Sequence, residues 1–243
     1  MRSLPDAIVL CGGAGLRLRS VTGDGPKSMA SVAGRPFLEL LLRQLRRYGF
    51  PHAIMAVGYR KEVIREHFGA EALGVRLTYA EELEPLGTGG AVQNASAFVT
   101  SDAALVMNGD SYTDVDLRAL VEQYAASGAD ASMVVVPADG REDCGSVFAE
   151  AEGKLTAFSE KGRPAGAPYI NAGIYLVSRA LLETIPAGQQ VSLERELLPR
   201  WLKENRKIRA FFARSSCVDI GTPERFQQAQ EALATAERNA AEV

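Results

Sequence analysis

The stretch from Ile8 to Met29, IVLCGGAGLRLRSVTGDGPKSM, decides the fold. Three apolar residues run into Gly12-Gly13-Ala14-Gly15. Arg17 and Arg19 follow at once, and Pro26-Lys27 comes soon after. Glycines let main-chain N–H groups approach a ligand closely, and guanidinium forks match phosphate oxygens. The pattern reads as a buried strand that ends in a loop wrapping a polyphosphate. Spacing excludes two familiar phosphate loops. A Walker A loop needs GxxxxGK followed by Ser or Thr, which is absent. A dinucleotide fingerprint needs a third glycine, and after Gly13 and Gly15 the corresponding position is Leu18. The competing reading is a plain strand-to-helix turn with solvated arginines. Against it stands the clustering of Arg17, Arg19 and Lys27 with the glycines.

Outward from this loop the chain alternates. Ala7–Leu10 is a buried strand, and Phe37, Leu38, Leu41, Leu42, Leu45 and Tyr48 make the apolar face of a helix from Pro36 to Tyr48. Ala53–Val57 is strand, residues 60–68 helix, and Val75–Tyr79 strand. This βαβαβ rhythm predicts a mostly parallel sheet with helices on both faces. Glu84–Ala91, EPLGTGGA, interrupts it ahead of a helix through Phe98. Ala104–Met107 is a strand ending in Asn108-Gly109-Asp110, Asp116 caps the next helix, and Ala131–Val136 is strand again. After about residue 137 the texture changes to short β-like runs at 146–149, 155–158, 169–176 and 208–213. Ser192 is placed to cap a helix through Lys203, and Cys217–Ile220 is a short strand. Thr222-Pro223 opens a last helix that runs into the alanine-rich tail.

Composition narrows the function classes. The 243 residues are 47% hydrophobic and 23% charged, with a formal net charge of -3, which gives no general reason to bind nucleic acid or an anionic membrane. Any anion site must be local. No apolar segment is long enough to span a bilayer, and no charged leader precedes an apolar run, so a cytoplasmic protein is expected. Cys11, Cys144 and Cys217 are widely spaced without CxxC, which favours reduced thiols over a disulfide or zinc framework. Cys11 reads as a small buried thiol. His52 and His67 are the only histidines, so carboxylate oxygens would hold any metal, pointing to magnesium or manganese.

GGxGxRL followed by PK resembles the signature of the nucleotidyltransferases that activate sugar 1-phosphates. LGTGGA at 86–91, NGD at 108–110, EK at 160–161, NAGIY at 171–175 and DIGTPE at 219–224 occur in that family's order. The resemblance covers nearly the whole chain. It implies an α/β, Rossmann-like three-layer fold with a mixed, mostly parallel central sheet, carried by one domain over 1–243. Its nucleotide-binding half would end near residue 137 and its sugar-phosphate half would follow.

The resemblance also implies roles. Gly12, Gly13 and Gly15 would surround the triphosphate, with Arg17 on its outer phosphates and Lys27 on the reacting ones. Leu10, Glu82, Pro85, Gly87, Thr88 and Asn108 would complete the nucleotide site. Asp110 and Asp219 would hold Mg²⁺ against the triphosphate, making Asp110 a catalytic residue as well as a ligand. Lys161 would bind the sugar phosphate, and Glu160 would accept from sugar hydroxyls. Gly109, Gly145, Asn171 and Gly173 would line the same pocket. Glu194 would either reach the sugar or serve as an acidic residue favoured by its helix dipole. Taken alone, Asp110 and Asp219 are also plausible loop caps, and Glu160-Lys161 a solvated ion pair. The family usually has Thr before the loop arginine, where this chain has Leu16.

Within the family the chain looks most like bacterial D-glycero-α-D-manno-heptose 1-phosphate guanylyltransferases. That implies GTP and a heptose 1-phosphate as substrates, GDP-heptose for surface polysaccharide as product, and leaves a homodimer open. The alternatives are a mannose 1-phosphate guanylyltransferase, a glucose 1-phosphate thymidylyltransferase, an amino-sugar uridylyltransferase, or a silent nucleotide-sugar-binding subunit. Retention of Lys27, Asp110, Asp219 and Lys161 argues against the silent copy, which has no chemical need of all four. The incomplete glycine fingerprint disfavours a nicotinamide dehydrogenase.

Overall fold

Strands that are buried on both faces read as continuous apolar runs, and here they sort their side chains by strict alternation. In the computed structural model, which describes residues 4–139, 144–160 and 166–241, the first strand, β1, is Asp6–Leu10. Ala7 and Val9 enter one core, while Ile8 enters the other. The same division recurs in β2 (His52–Val57), where Ala53, Met55 and Val57 face one way and Ile54 and Ala56 the other. Then follow β3 (Val75–Glu81), β4 (Ala103–Asn108), β5 (Ala131–Pro137), β6 (Ser146–Ala149), β7 (Leu155–Ser159), β8 (Tyr169–Ser178) and β9 (Ile208–Phe212).

The sheet runs β9-β5-β8-β4-β1-β2-β3. Pairings β1–β2, β1–β4, β2–β3 and β5–β9 are parallel, while β8 is antiparallel to both β4 and β5. The mostly parallel sheet read from the βα rhythm is therefore present, with one reversed strand in the middle. The β6–β7 hairpin pairs with the first residues of β8, ahead of the stretch that pairs with β4.

Helices cover both faces. On one lie α1 (Phe37–Arg47), α2 (Lys61–Phe68) and α4 (Leu117–Ser127), which contribute Leu38, Leu41, Ile64, Phe68 and Leu120. On the other lie α3 (Gly87–Ser96) and α5 (Leu198–Lys203), with Val92, Ala95, Leu198 and Trp201. Asp116 caps α4 as its position predicts, accepting from the Arg118 and Ala119 N–H groups at 2.9 and 3.0 Å.

Two helix starts differ from the sequence reading. The glycines of EPLGTGGA lie inside the first turn of α3 instead of in a preceding loop. They are small because the 189–191 segment crosses there: a Cβ on Gly87 would stand 2.8 Å from the Val191 carbonyl oxygen, and one on Gly90 2.5 Å from that of Gln189. The same Val191 carbonyl accepts from the Gly89 and Gly90 N–H groups at 2.8 and 3.1 Å, so this helix start is capped by protein. The helix expected from Ser192 begins with a π turn, Leu193–Leu197, before α5. Ser192 accepts from the Arg195 N–H and its own N–H donates to Glu196 Oε1 at 2.9 Å, a capping box stretched by one residue.

The last helix, α6 (Pro223–Ala241), returns to the beginning of the chain. Ala229 and Leu233 pack with Leu18, Val32, Phe37 and Ile220 in a third, smaller core beneath the glycine loop. Just before it, Cys217–Asp219 pairs antiparallel with Ser111–Thr113, in a register that sets Asp219 opposite Ser111. This two-stranded ribbon brings the end of the chain beside the end of β4.

Candidate functional site

The carboxyl ends of β1, β2 and β4 open into a cleft of about 630 Å³. Open α/β sheets bind ligands at this edge. Leu10, Gly12, Gly13, Lys27, Glu82, Pro85, Gly87, Thr88, Asn108, Gly109 and Asp110, eleven residues proposed from the sequence, line it. Gly15 and Arg17 do not. Gly15 works from behind: its φ is +58°, and a Cβ there would stand 2.5 Å from Lys27 Cβ, so a glycine is needed to seat the lysine stem. Arg17 is exposed in the short turn Leu16–Leu18, next to the exposed Leu16.

The loop is held to the sheet by its backbone. Cys11 N–H donates to the Ala56 carbonyl at 2.9 Å, and the Gly12 carbonyl accepts from the Tyr59 N–H at 3.0 Å. The Cys11 thiol is buried and donates to the Ala56 carbonyl at 3.3 Å. Burial pushes its pKa far up, with Glu82 adding to the rise, so it is the inert thiol its position suggested.

At the mouth, Lys27 Nζ donates to Asp110 Oδ2 at 2.6 Å; the lysine side chain is 13% exposed and the aspartate 44%. The ribbon brings the second carboxylate in: Ile220 N–H donates to the Asp110 carbonyl at 3.0 Å. Asp219 Oδ1 accepts from the Gly221 N–H and from Arg225, both at 2.9 Å. A Cβ on Gly221 would lie 2.8 Å from that oxygen and 3.9 Å from Lys27 Nζ, so lysine and both aspartates share one corner. Arg225 escaped the sequence reading although it stands one residue beyond DIGTPE. An arginine in a surface helix carries no signal until its partner is known.

Glu82 forms the inner wall. Its Oε2 accepts from the Leu86 N–H at 3.2 Å, and burial raises its pKa, with that N–H opposing the rise. Among the described residues, two polar atoms along the cleft are buried without a hydrogen-bond partner, Ser28 Oγ and Asn108 Oδ1. Buried orphans of this kind cost free energy unless something else completes them. Ser28 and Gln190, which also lines the cleft, were not anticipated.

The residues expected around the sugar assemble beyond the cleft. Pairing of β8 with β5 slips between Asn171 and Tyr175, and Gly173 takes φ +72° in the bulge. A Cβ there would meet Asn108 Nδ2 at 2.7 Å and Ser111 Oγ at 2.9 Å. Asn171 N–H donates to the Gly145 carbonyl at 2.9 Å, and Glu160 Oε2 lies 2.8 Å from where a Gly145 Cβ would be. Burial raises the Glu160 pKa, the Glu194 charge raises it further, and Arg195 opposes. Glu194 itself is turned inward instead of standing at an exposed helix start. Gly109 is fixed by the crossing of β1, where a side chain would collide with the Leu10 carbonyl. Lys161 lies outside the described residues.

The metal expectation has a donor set to meet it. Among the described residues no group of three or more His, Cys, Asp or Glu side chains is arranged to hold an ion. Two aspartates at one corner are a hard, oxygen-only set that suits a cation taking its remaining ligands from phosphates and water.

Comparison with known proteins is decisive on family. The profile of the family described as nucleotidyl transferase matches residues 6–236. The chain belongs to the nucleotidyl transferase family. Over 223 residues it is 38% identical to a mannose-1-phosphate guanylyltransferase of Mycobacterium tuberculosis, covering 91% of this chain and 62% of that protein. Thus it spans less than two thirds of that relative's length. Over 228 residues it is 34% identical to a D-glycero-α-D-manno-heptose 1-phosphate guanylyltransferase of Aneurinibacillus thermoaerophilus, covering 94% and 98%. Among solved structures, HddC from Yersinia pseudotuberculosis complexed with GMP-PN superposes with a TM-score of 0.81 at 31% identity, over 95% of this chain and 100% of that one. The fold is that of the nucleotide-diphospho-sugar transferases.

Proposed function

We propose that this nucleotidyl transferase is a sugar-1-phosphate guanylyltransferase that joins GTP to D-glycero-α-D-manno-heptose 1-phosphate and releases pyrophosphate. The observation that carries the proposal is the Lys27–Asp110 pair, 2.6 Å apart at the mouth of the cleft with Asp219 beside it. Joining two anions requires a fixed cation and a fixed line of attack at the point where they meet. Lys27, whose stem is seated against Gly15, is that cation.

In this reading the sugar phosphate oxygen attacks the α-phosphorus of GTP, and the bond to the pyrophosphate oxygen breaks in the same displacement. Backbone N–H groups at Gly12 and Gly13 receive the triphosphate, with Arg17 reaching its outer phosphates from the rim. Leu16 supplies no hydroxyl, but the Ser28 hydroxyl, already desolvated in the cleft, can donate to phosphate in its place. Glu160 and Asn171 take sugar hydroxyls, and Lys161 takes the sugar phosphate by family resemblance. Asp110 and Asp219 would hold Mg²⁺, which when bound neutralises phosphate charge and orients the leaving group.

Glu82 supports guanine. A carboxylate on the cleft wall accepts from two adjacent donors, and guanine offers its ring N1–H beside its exocyclic amine. The relatives' names support a sugar with the manno ring. Mannose 1-phosphate is the second reading, favoured by the 38% identity to the mycobacterial enzyme. Both substrates are soluble phosphorylated metabolites, so we place the reaction in the cytoplasm, supplying GDP-heptose for surface polysaccharide.

The test is pyrophosphate release over a matrix of nucleoside triphosphates and sugar 1-phosphates that contains both manno sugars. GTP with the heptose should turn over fastest and GTP with mannose next. Preference for dTTP with glucose 1-phosphate, or no turnover with any pair, would overturn the proposal.

A further inference from the structure

The carboxylate of Glu194 is spent on protein groups. The residue is 7% exposed; its Oε2 accepts from the Thr88 hydroxyl at 2.6 Å and from the Ser192 hydroxyl at 3.4 Å, and its Oε1 accepts from the Tyr175 phenol at 3.2 Å. Neither of the main donors has its direction left open. The Thr88 oxygen already accepts from the Leu193 N–H at 2.8 Å, so its proton goes to Glu194. The Tyr175 proton also goes to Glu194, so the phenol oxygen is left to accept, and Asn171 Nδ2 donates to it at 2.5 Å. That choice sets the Asn171 amide the right way round, because its Oδ1 takes the Gly173 N–H at 2.9 Å. Hydrogen bonds therefore run unbroken from the first turn of α3, on the nucleotide cleft, to the amide in the sugar pocket.

We propose that Glu194 is a positioning residue that fixes the Asn171 amide through Tyr175 and ties that orientation, through Thr88, to the seating of α3. The inference rests on the guanylyltransferase reading for its consequence, and on hydrogen bonding alone for its geometry. Only an ionised carboxylate fills the role. It must accept from several donors at once, whereas an amide would present N–H groups to hydroxyls that are already donating. A buried charge is tolerated there because each of its oxygens is met by donors. The consequence is coupling. A nucleotide resting on Gly87 and Thr88 orders the same turn that holds Glu194, so it should tighten sugar-phosphate binding, and by linkage the reverse.

The experiment uses the full chain with Tyr175→Phe and Glu194→Gln. One arm measures kcat, both KM values, the melting temperature, and sugar 1-phosphate affinity with and without a GTP analogue carrying a methylene between its α- and β-phosphates. Wild type should bind the sugar phosphate more tightly when the analogue is present. Tyr175→Phe should raise the sugar-phosphate KM about tenfold, with the GTP KM and kcat within about twofold, and should abolish the tightening. The other arm needs no substrate: amide exchange at Gly173, whose N–H is held by Asn171, should quicken about tenfold in both variants. An unchanged Gly173 exchange rate overturns the relay, and so does a parallel rise of both KM values with a fallen melting temperature. An inactive wild type with quickened Gly173 exchange in the variants overturns the guanylyltransferase reading and supports the relay.

Discussion

Two aspartates at opposite ends of neighbouring parallel strands differ in what surrounds them. Asp6 begins β1. Its Oδ1 meets His52 Nδ1 at 2.8 Å, and its Oδ2 takes the Thr100 and Ser101 N–H groups at 2.7 and 3.2 Å. The Thr100 hydroxyl donates to the same oxygen at 3.0 Å, the Ser101 hydroxyl goes to the Ala103 carbonyl at 2.7 Å, and His52 Nε2 reaches Thr78 Oγ1 at 2.9 Å. Asp6 and His52 are buried at the centre of this cluster, which ties β1, β2 and β3 together at one edge. Asp110, past the end of β4, is 44% exposed and paired with Lys27 across an open cleft. The same side chain is a clamp where donors saturate it and a candidate site where one cation leaves it accessible. Burial and donor count, more than residue type, separate the two.

The comparison breaks most readily at Lys27. Lys27→Ala should lower kcat by roughly 10³-fold, as loss of a single electrostatic stabiliser of a transition state does, with a melting temperature close to wild type. A fall in stability with near-normal turnover would make this pair a clamp like the other. Asp6→Asn should do the reverse. Its amide keeps one oxygen for the Thr100 and Ser101 donors but sets an N–H group against His52 and removes the charged acceptor, costing about 2–3 kcal/mol of stability in denaturant titration while kcat holds.

Acid unfolding sharpens the same contrast. Burial pushes the Asp6 carboxyl up, but His52 and the Thr100 and Ser101 donors outweigh it and bring the pKa down to about 2. A depressed carboxyl stabilises the fold above its unfolded pKa, and that contribution, roughly 2 kcal/mol, is lost as pH falls from about 4 toward 2. Wild type should therefore lose stability through that window, and Asp6→Asn should lack that part of the slope.

Much of this is legible in the sequence alone. The β1 loop, the Asp116 cap, the Thr222 hydroxyl that accepts from the Arg225 N–H at 3.4 Å, and eleven cleft residues follow from spacing and resemblance, because each is local to one strand end or one turn. The Asp6–His52 clamp was invisible, since its members are scattered from residue 6 to 101 and each is unremarkable alone. Arg225 was missed for a related reason, and Glu194 was left open between the sugar and its helix dipole. An acidic residue two positions past a helix cap looks like a dipole partner until the π turn and the Thr88 hydroxyl show where it points. The glycines of α3 were misplaced into a loop because their cause, the crossing of residues 189–191, lies a hundred positions away.

The smallest effect concerns a third carboxylate, Glu160, set between the two extremes. It is half-buried, and besides burial its neighbours are charges: Glu194 raises its pKa and Arg195 lowers it. If Glu160 accepts from sugar hydroxyls it must be ionised, so kcat/KM for the sugar phosphate should fall on the acid side as it protonates. Arg195→Gln removes a positive charge that opposes the rise, so Glu160 should protonate at higher pH and the acid limb should move up. Arg195 donates its backbone N–H, not its side chain, to the Ser192 cap, so the substitution leaves the capping geometry in place. A limb that stays still while the protein remains folded would remove Glu160 from the sugar site. A limb that moves upward would show a carboxylate tuned by charge, beside one saturated by donors at Asp6 and one held by a single cation at Asp110.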